Sequence, residues 1–166
     1  VPRVITSADS VHYMAVADSF AHGRFLSVDP LIPIFYGLLA SPLVHLGISA
    51  EAACRTVSLV SSTLLIAPVY ALARDLFGRR SARVAALTCA LWPWLADYAS
   101  QVALEALAVT LWFTAVWTLG RSIRRGGWWI VGSVLAFFAL HLTRAEGIVL
   151  LLAAPVAALV LTEPGE

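Results

Sequence analysis

A chain of 166 residues that is 60% hydrophobic and only 13% charged, with a mean hydropathy of +0.86, is not an ordinary soluble domain, where about a quarter of residues are charged. Its 11 basic residues are all arginine, and the formal net charge of +1 conceals a segregation of sign along the sequence. Apolar segments recur from Leu31 onward, so the expected fold class is all-α, a polytopic helical membrane protein, and no nucleic-acid partner is expected.

Cys54 and Cys89 fall in different apolar segments without metal-ligand spacing and read as small buried apolar residues. The sequence opens at Val1 with neither Met nor a signal peptide, and it reads as an internal piece of a longer protein.

Asp9 and Ser10 open a first helix, Ser10–His22, that Gly23 closes. Tyr13, Val16, Ala17 and Phe20 recur at i, i+3, i+4 and i+7 and make one apolar face, while His12, Ser19 and His22 lie opposite. A helix this short with one wet side belongs on a membrane surface. Leu31–Gly47 is apolar but broken by Pro33, Gly37 and Pro42. At 1.5 Å per residue it reaches roughly 25 Å, barely a span. Residues 1–50 therefore read as a juxtamembrane outer loop, with Leu31–Gly47 a surface-lying or re-entrant hairpin.

Residues 51–166 read as five transmembrane helices. Arg55 and Arg74 bracket 18 uncharged residues, a good span with Pro68 as a tolerated kink. A basic turn, Arg74–Arg83, follows. Val84–Gly120 is long enough for two passes, interrupted by Asp97 and Glu105, and Arg121–Gly127 makes a second basic turn. Trp128–Leu142 and Ile148–Thr162 form a last pair joined through Thr143–Gly147. Placing both Arg144 and Glu146 at the bilayer centre would cost ~5 kcal/mol or more, so they are expected at a surface. The six tryptophans fit interfacial belts or packing.

The two basic turns lie two passes apart and so fall on one side, cytoplasmic by the positive-inside rule. They hold seven of the 11 arginines. If Leu31–Gly47 does not cross, Asp9, Asp18, Asp29, Glu51, Asp97, Glu105 and Glu146 share the opposite side, seven of the ten acids. The expectation is a multi-pass protein of the plasma (inner) membrane with its site facing the periplasm or exterior.

Several of these residues suggest chemistry. Asp9 beside an apolar wall is a candidate general base, because partial desolvation raises a carboxyl pKa toward working pH. His12, one turn away, is placed to share a metal or orient that carboxylate. The structural alternative for Asp9 is the N-cap of its own helix. Arg144 either closes an outer turn as an ion pair with Glu146 or grips a phosphate with its planar fork. Arg55 reads as a snorkelling anchor and Arg24 as a solvated loop charge. Glu105 falls about one turn inside a helix, where an unpaired carboxylate needs a partner or a role. Asp97 is either a solvated loop acid or an auxiliary acid of the same site.

The segments DSVHYMAVA, DPLIP, RDLFGRR, ASQVALEAL and LTRAEG, in that order, resemble the integral-membrane glycosyltransferases of the GT-C superfamily. The likeness is greatest to the branch of protein O-mannosyltransferases and aminoarabinose transferases, with the first transmembrane helix missing. In that family the first outer loop carries an essential acid, and Asp9 is the matching position. The resemblance implies sugar transfer from a polyprenyl-phosphate-linked donor to an acceptor hydroxyl or amine, on a protein, lipid or glycan, among membrane lipid. Asp9 would be the base and Arg144 would face the lipid phosphate, with Arg55, Arg24, Glu146 and His12 as further substrate contacts. Many members carry paired acids where this chain has Asp9-Ser10, which leaves a divalent metal ion open as cofactor. The rival readings are a transporter, which needs polar groups near the midplane, and a non-catalytic membrane subunit.

Overall fold

A computed structural model describes residues 8–25 and 32–144, and over them the chain is all helical. The helices are α1 (Ala8–Ala21), α2 (Ile34–His45), α3 (Ala50–Leu64), α4 (Ile66–Leu91), α5 (Pro93–Ser100), α6 (Leu104–Arg125) and α7 (Trp128–Thr143). Ala50–Leu91 and Leu104–Arg125 are long and apolar enough to cross a membrane, whereas α2 and α7 are shorter apolar helices. Large apolar side chains such as Leu59, Leu64, Leu87, Leu135 and Phe138 remain exposed. This is how a helical membrane protein presents itself to lipid.

α1 keeps its expected faces: Val16 and Ala17 are buried, His12 and His22 exposed. It begins ahead of Asp9, which lies in the first turn rather than in front of it. α2 is a single helix rather than a hairpin. Pro42 supplies no N–H for the Leu38 carbonyl, and the Ser41 hydroxyl donates to that carbonyl instead, at 2.9 Å. Twelve residues give α2 a length of about 18 Å. The two helices run in the same direction. Tyr13 meets Tyr36 edge to face at 5.5 Å, Gly37 lies under Val16, and His45 Nδ1 reaches the Ala21 carbonyl at 3.2 Å.

Ser49 caps α3, its hydroxyl accepting from the Ala52 N–H at 3.3 Å. α3 passes almost without interruption into α4, because Leu65 and Val69 keep their ladder bonds to Ser61 and Leu65. The division at Leu65 falls where Pro68 cannot donate to the Leu64 carbonyl. Gly78, at φ 84° and ψ 176°, breaks α4 inside the basic stretch and turns the chain back. Asp97 is not in a turn but on α5, which starts with Pro93 in its first turn. Residues 101–103 form a short corner, and α6 then runs parallel to α3. Thr110, Thr114 and Thr118 each bond a carbonyl one turn back, so these hydroxyls are satisfied inside the apolar helix. RSIRR, expected in a turn, is the last turn of α6; Gly126 and Gly127, both at positive φ, reverse the chain into α7. α6 and α7 close on Ala108, Ala115, Ala136, Phe137 and Leu140.

Candidate functional site

Three connections bring α1, α2, α3 and α6 to one corner. The Ser10 hydroxyl donates to the Val102 carbonyl at 3.2 Å. The Ser58 hydroxyl donates to the Ala103 carbonyl at 3.1 Å and accepts from the Ala103 N–H at 3.2 Å. The buried Tyr36 hydroxyl donates to the Cys54 carbonyl at 2.7 Å and lies 2.8 Å from Ser58 Oγ. The extended corner before α6 has few helical partners for its backbone groups, and these side chains supply them.

This arrangement gathers Asp9, Tyr13, Glu105 and Arg144. Tyr13 is half-buried, and burial first of all raises its phenol pKa; the Asp9 and Glu105 carboxylates raise it further, while Arg144 opposes them. One hydroxyl thus feels two acids and one guanidinium from α1, α6 and the end of α7. Glu105 sits in the first turn of α6, where the helix dipole favours a carboxylate. Asp9 is exposed rather than set against an apolar wall, and Arg144 is exposed at the C-cap of α7.

The other expected residues lie elsewhere. Arg55 pairs with Glu51 at 2.9 Å, while its Nε is buried without a hydrogen bond. It lines a cleft of about 310 Å³ with Thr56, Leu59, Ala96, Ala99 and Ser100, between α3 and α5. Arg24 pairs with Asp18 at 2.7 Å, beyond the far end of α1 from Asp9. Asp97 accepts from Gln101 Nε2 at 2.8 Å and serves the end of α5. His12 is exposed. Glu146 lies outside the described residues. Among the described residues no three His, Cys, Asp or Glu side chains are grouped to hold a metal ion, so Asp9 and His12 lack a third ligand of that kind.

The opposite end has a different chemistry. Asp75 accepts from Arg121 Nε at 2.8 Å, Arg121 Nη2 at 3.1 Å and Trp117 Nε1 at 3.1 Å. The Arg121 guanidinium carbon lies 5.2 Å from the Trp117 ring and 4.9 Å from the Trp129 ring. Arg74 and Arg124 flank the same carboxylate at 3.7 and 3.9 Å. Glu105 and Arg121 are separated by about 24 Å of helix.

Sequence reasoning misses Tyr13, whose i+4 spacing from Asp9 is the available signal, because its spacing with Val16, Ala17 and Phe20 puts it on the apolar face. It also misses Ser58 and Tyr36, for which no local signal exists. A family model described as dolichyl-phosphate-mannose-protein mannosyltransferase matches residues 32–166, beginning after α1 and therefore after Asp9 and His12. Neither a curated protein nor a solved structure matches the chain. The matched stretch runs from α2 through α7 and includes the Ser58–Ala103 corner and Glu105. The chain belongs to the dolichyl-phosphate-mannose-protein mannosyltransferase family, membrane glycosyltransferases of the GT-C type.

Proposed function

We propose that the chain forms part of a glycosyltransferase that moves a sugar from a polyprenyl-phosphate donor to a hydroxyl or amine acceptor at the outer face of the membrane. Asp9 takes the acceptor proton as the acceptor oxygen or nitrogen attacks the anomeric carbon. The bond from that carbon to the phosphate oxygen breaks, and the lipid phosphate leaves with the electron pair. Arg144 meets the charge that develops there. General-base assistance of this kind is typically worth ~10²–10⁴ in rate. Glu105 holds its place at the head of α6, while Arg55 and Arg24 are each held by a carboxylate neighbour, Arg24 beyond the opposite end of α1 from Asp9.

One observation carries the reading: the Ser10–Val102 bond joins the first turn of α1 to the head of α6, so that Asp9, Glu105 and Arg144 all act on Tyr13. In the same reading, α1 and α2 lie along the outer surface and residues 51–166 form five spans. The seven arginines of Arg74–Arg83 and Arg121–Arg125 face the cytoplasm. The test uses membranes in which the protein is expressed at its natural length, incubated with polyprenyl-phosphate sugars labelled in the sugar. Label is expected to move to protein, lipid or glycan. Absence of both transfer and donor hydrolysis with mannosyl, glucosyl and arabinosyl donors overturns the assignment.

A further inference from the structure

We infer that Tyr13 is a further catalytic residue of this site, its hydroxyl donating a hydrogen bond to the donor's phosphate oxygen as the sugar–phosphate bond breaks. The inference rests on the glycosyl-transfer reading and adds to it a group on the opposite side of the reaction from the base. Tyr13 stands one turn beyond Asp9 on the same helix, so a base and a neutral donor are presented together. Its ring is fixed edge to face on Tyr36 at 5.5 Å. Tyr36 is itself pinned by its hydroxyl to α3 at the Cys54 carbonyl, at 2.7 Å. The Tyr13 ring is therefore held in place by packing on Tyr36 and by the hydrogen bond that fixes Tyr36.

The charges around it select the protonated form. Asp9 on its own helix and Glu105 on α6 both disfavour a phenolate, burial does so more strongly, and among the described residues Arg144 acts the other way. Among the described residues, Tyr36, packed on the ring from α2, is a further titratable neighbour. A neutral phenol can approach a phosphate beside Arg144 and donate to it, and the departing lipid phosphate then has two donors, one charged and one neutral. Tyr13 keeps its proton throughout: the acceptor proton goes to Asp9, and the phosphate leaves as its anion.

The experiment compares the protein with its Tyr13→Phe variant in membranes, using polyprenyl-phosphate mannose, glucose and arabinose donors labelled in the sugar. Absence of transfer and donor hydrolysis by the unaltered protein overturns the parent reading, and the inference with it, before any variant is compared. Given an active protein, Tyr13→Phe keeps the ring on Tyr36 and is expected to lower kcat by about 10²-fold with little change in donor KM. A kcat within about twofold of the unaltered protein overturns the inference. Should Tyr13→Phe fail to fold, 3-fluorotyrosine at position 13 decides, because it keeps the shape and makes the phenol more acidic. The hydroxyl works only while protonated, so activity falls as pH rises through its pKa. Fluorination is expected to move that alkaline fall to lower pH, and an unmoved alkaline limb overturns the inference.

Discussion

Ser10 and Val102 lie 92 positions apart in sequence, yet the Ser10 hydroxyl donates to the Val102 carbonyl at 3.2 Å. That bond sets the first turn of α1 against the head of α6 and so decides which side chains meet there. Asp9, next to Ser10, then has Glu105 and Arg144 as its charged company around Tyr13. Asp9→Asn is expected to reduce label transfer by ~10²–10⁴-fold while leaving donor affinity and thermal stability nearly unchanged, because Asp9 is exposed. Unchanged turnover in Asp9→Asn membranes removes Asp9 from the role of base.

Ser58 is fully buried and serves both backbone groups of Ala103. Ser58→Ala leaves a buried N–H and a carbonyl without that partner, and also strips a contact from the Tyr36 hydroxyl. The expected loss is about 1–3 kcal/mol, read as a lower melting temperature in detergent. Rapid deuterium exchange at residues 101–105 should accompany it. Exchange confined to other segments speaks against the corner as the unit that Ser58 holds.

Gly37 marks a close approach of α1 and α2. A Cβ there meets Val16 Cγ1 at 2.5 Å, Val16 Cβ at 2.8 Å and the Ala17 nitrogen at 3.1 Å. Gly37→Ala is therefore expected to lose about 1–3 kcal/mol through overpacking. Adding Val16→Ala removes the nearest atom and should recover part of that loss, while Val16→Ala alone should be mildly destabilising. Additive effects in the double variant contradict a direct contact.

At the opposite end, the Arg121 hydrogen bonds, supported by Trp117, hold the Asp75 carboxyl down at about 2, below an ordinary value of 3.8. Asp75 lies beyond the uncharged stretch Thr56–Ala73, among Arg74, Arg79 and Arg80. A depressed folded pKa means that the stabilisation is complete above 3.8 and disappears as pH falls from there through about 2. Stability measured between pH 6 and about 2 should fall in that lower window, and Asp75→Asn should lose that part of the pH dependence. Asp75→Asn should also be less stable than the parent at neutral pH. An identical acid profile in the two proteins rules the clamp out as its source.

Much of the helical plan was legible because it depends on local pattern. The spacing of Tyr13, Val16, Ala17 and Phe20 gave the inner face of α1, and the uncharged run between Arg55 and Arg74 gave a long apolar helix. Boundaries were less legible where the determining partner is distant or subtle. α2 survives Pro42 because Ser41 bonds the orphaned Leu38 carbonyl, and RSIRR remains helical because Gly126 and Gly127 defer the reversal. The geometry of the candidate site was legible in part. Charge placement singled out Asp9, Glu105 and Arg144, which do gather around one tyrosine, but it ranked Arg55 and Arg24 beside them. Their salt bridges to Glu51 and Asp18 explain those two charges locally. Nothing in the linear sequence connects Ser58 with Ala103, since that bond exists only once α3 and α6 lie side by side.

The most direct test of the account is the sidedness of its two ends. Asp9→Cys and Arg80→Cys, each in a Cys54→Ala, Cys89→Ala background, are to be treated with a membrane-impermeant maleimide in intact cells. Position 9 is predicted to react without permeabilisation and position 80 only after it. Reaction of both from the same compartment contradicts an outer Asp9 site opposed by an arginine end in the cytoplasm.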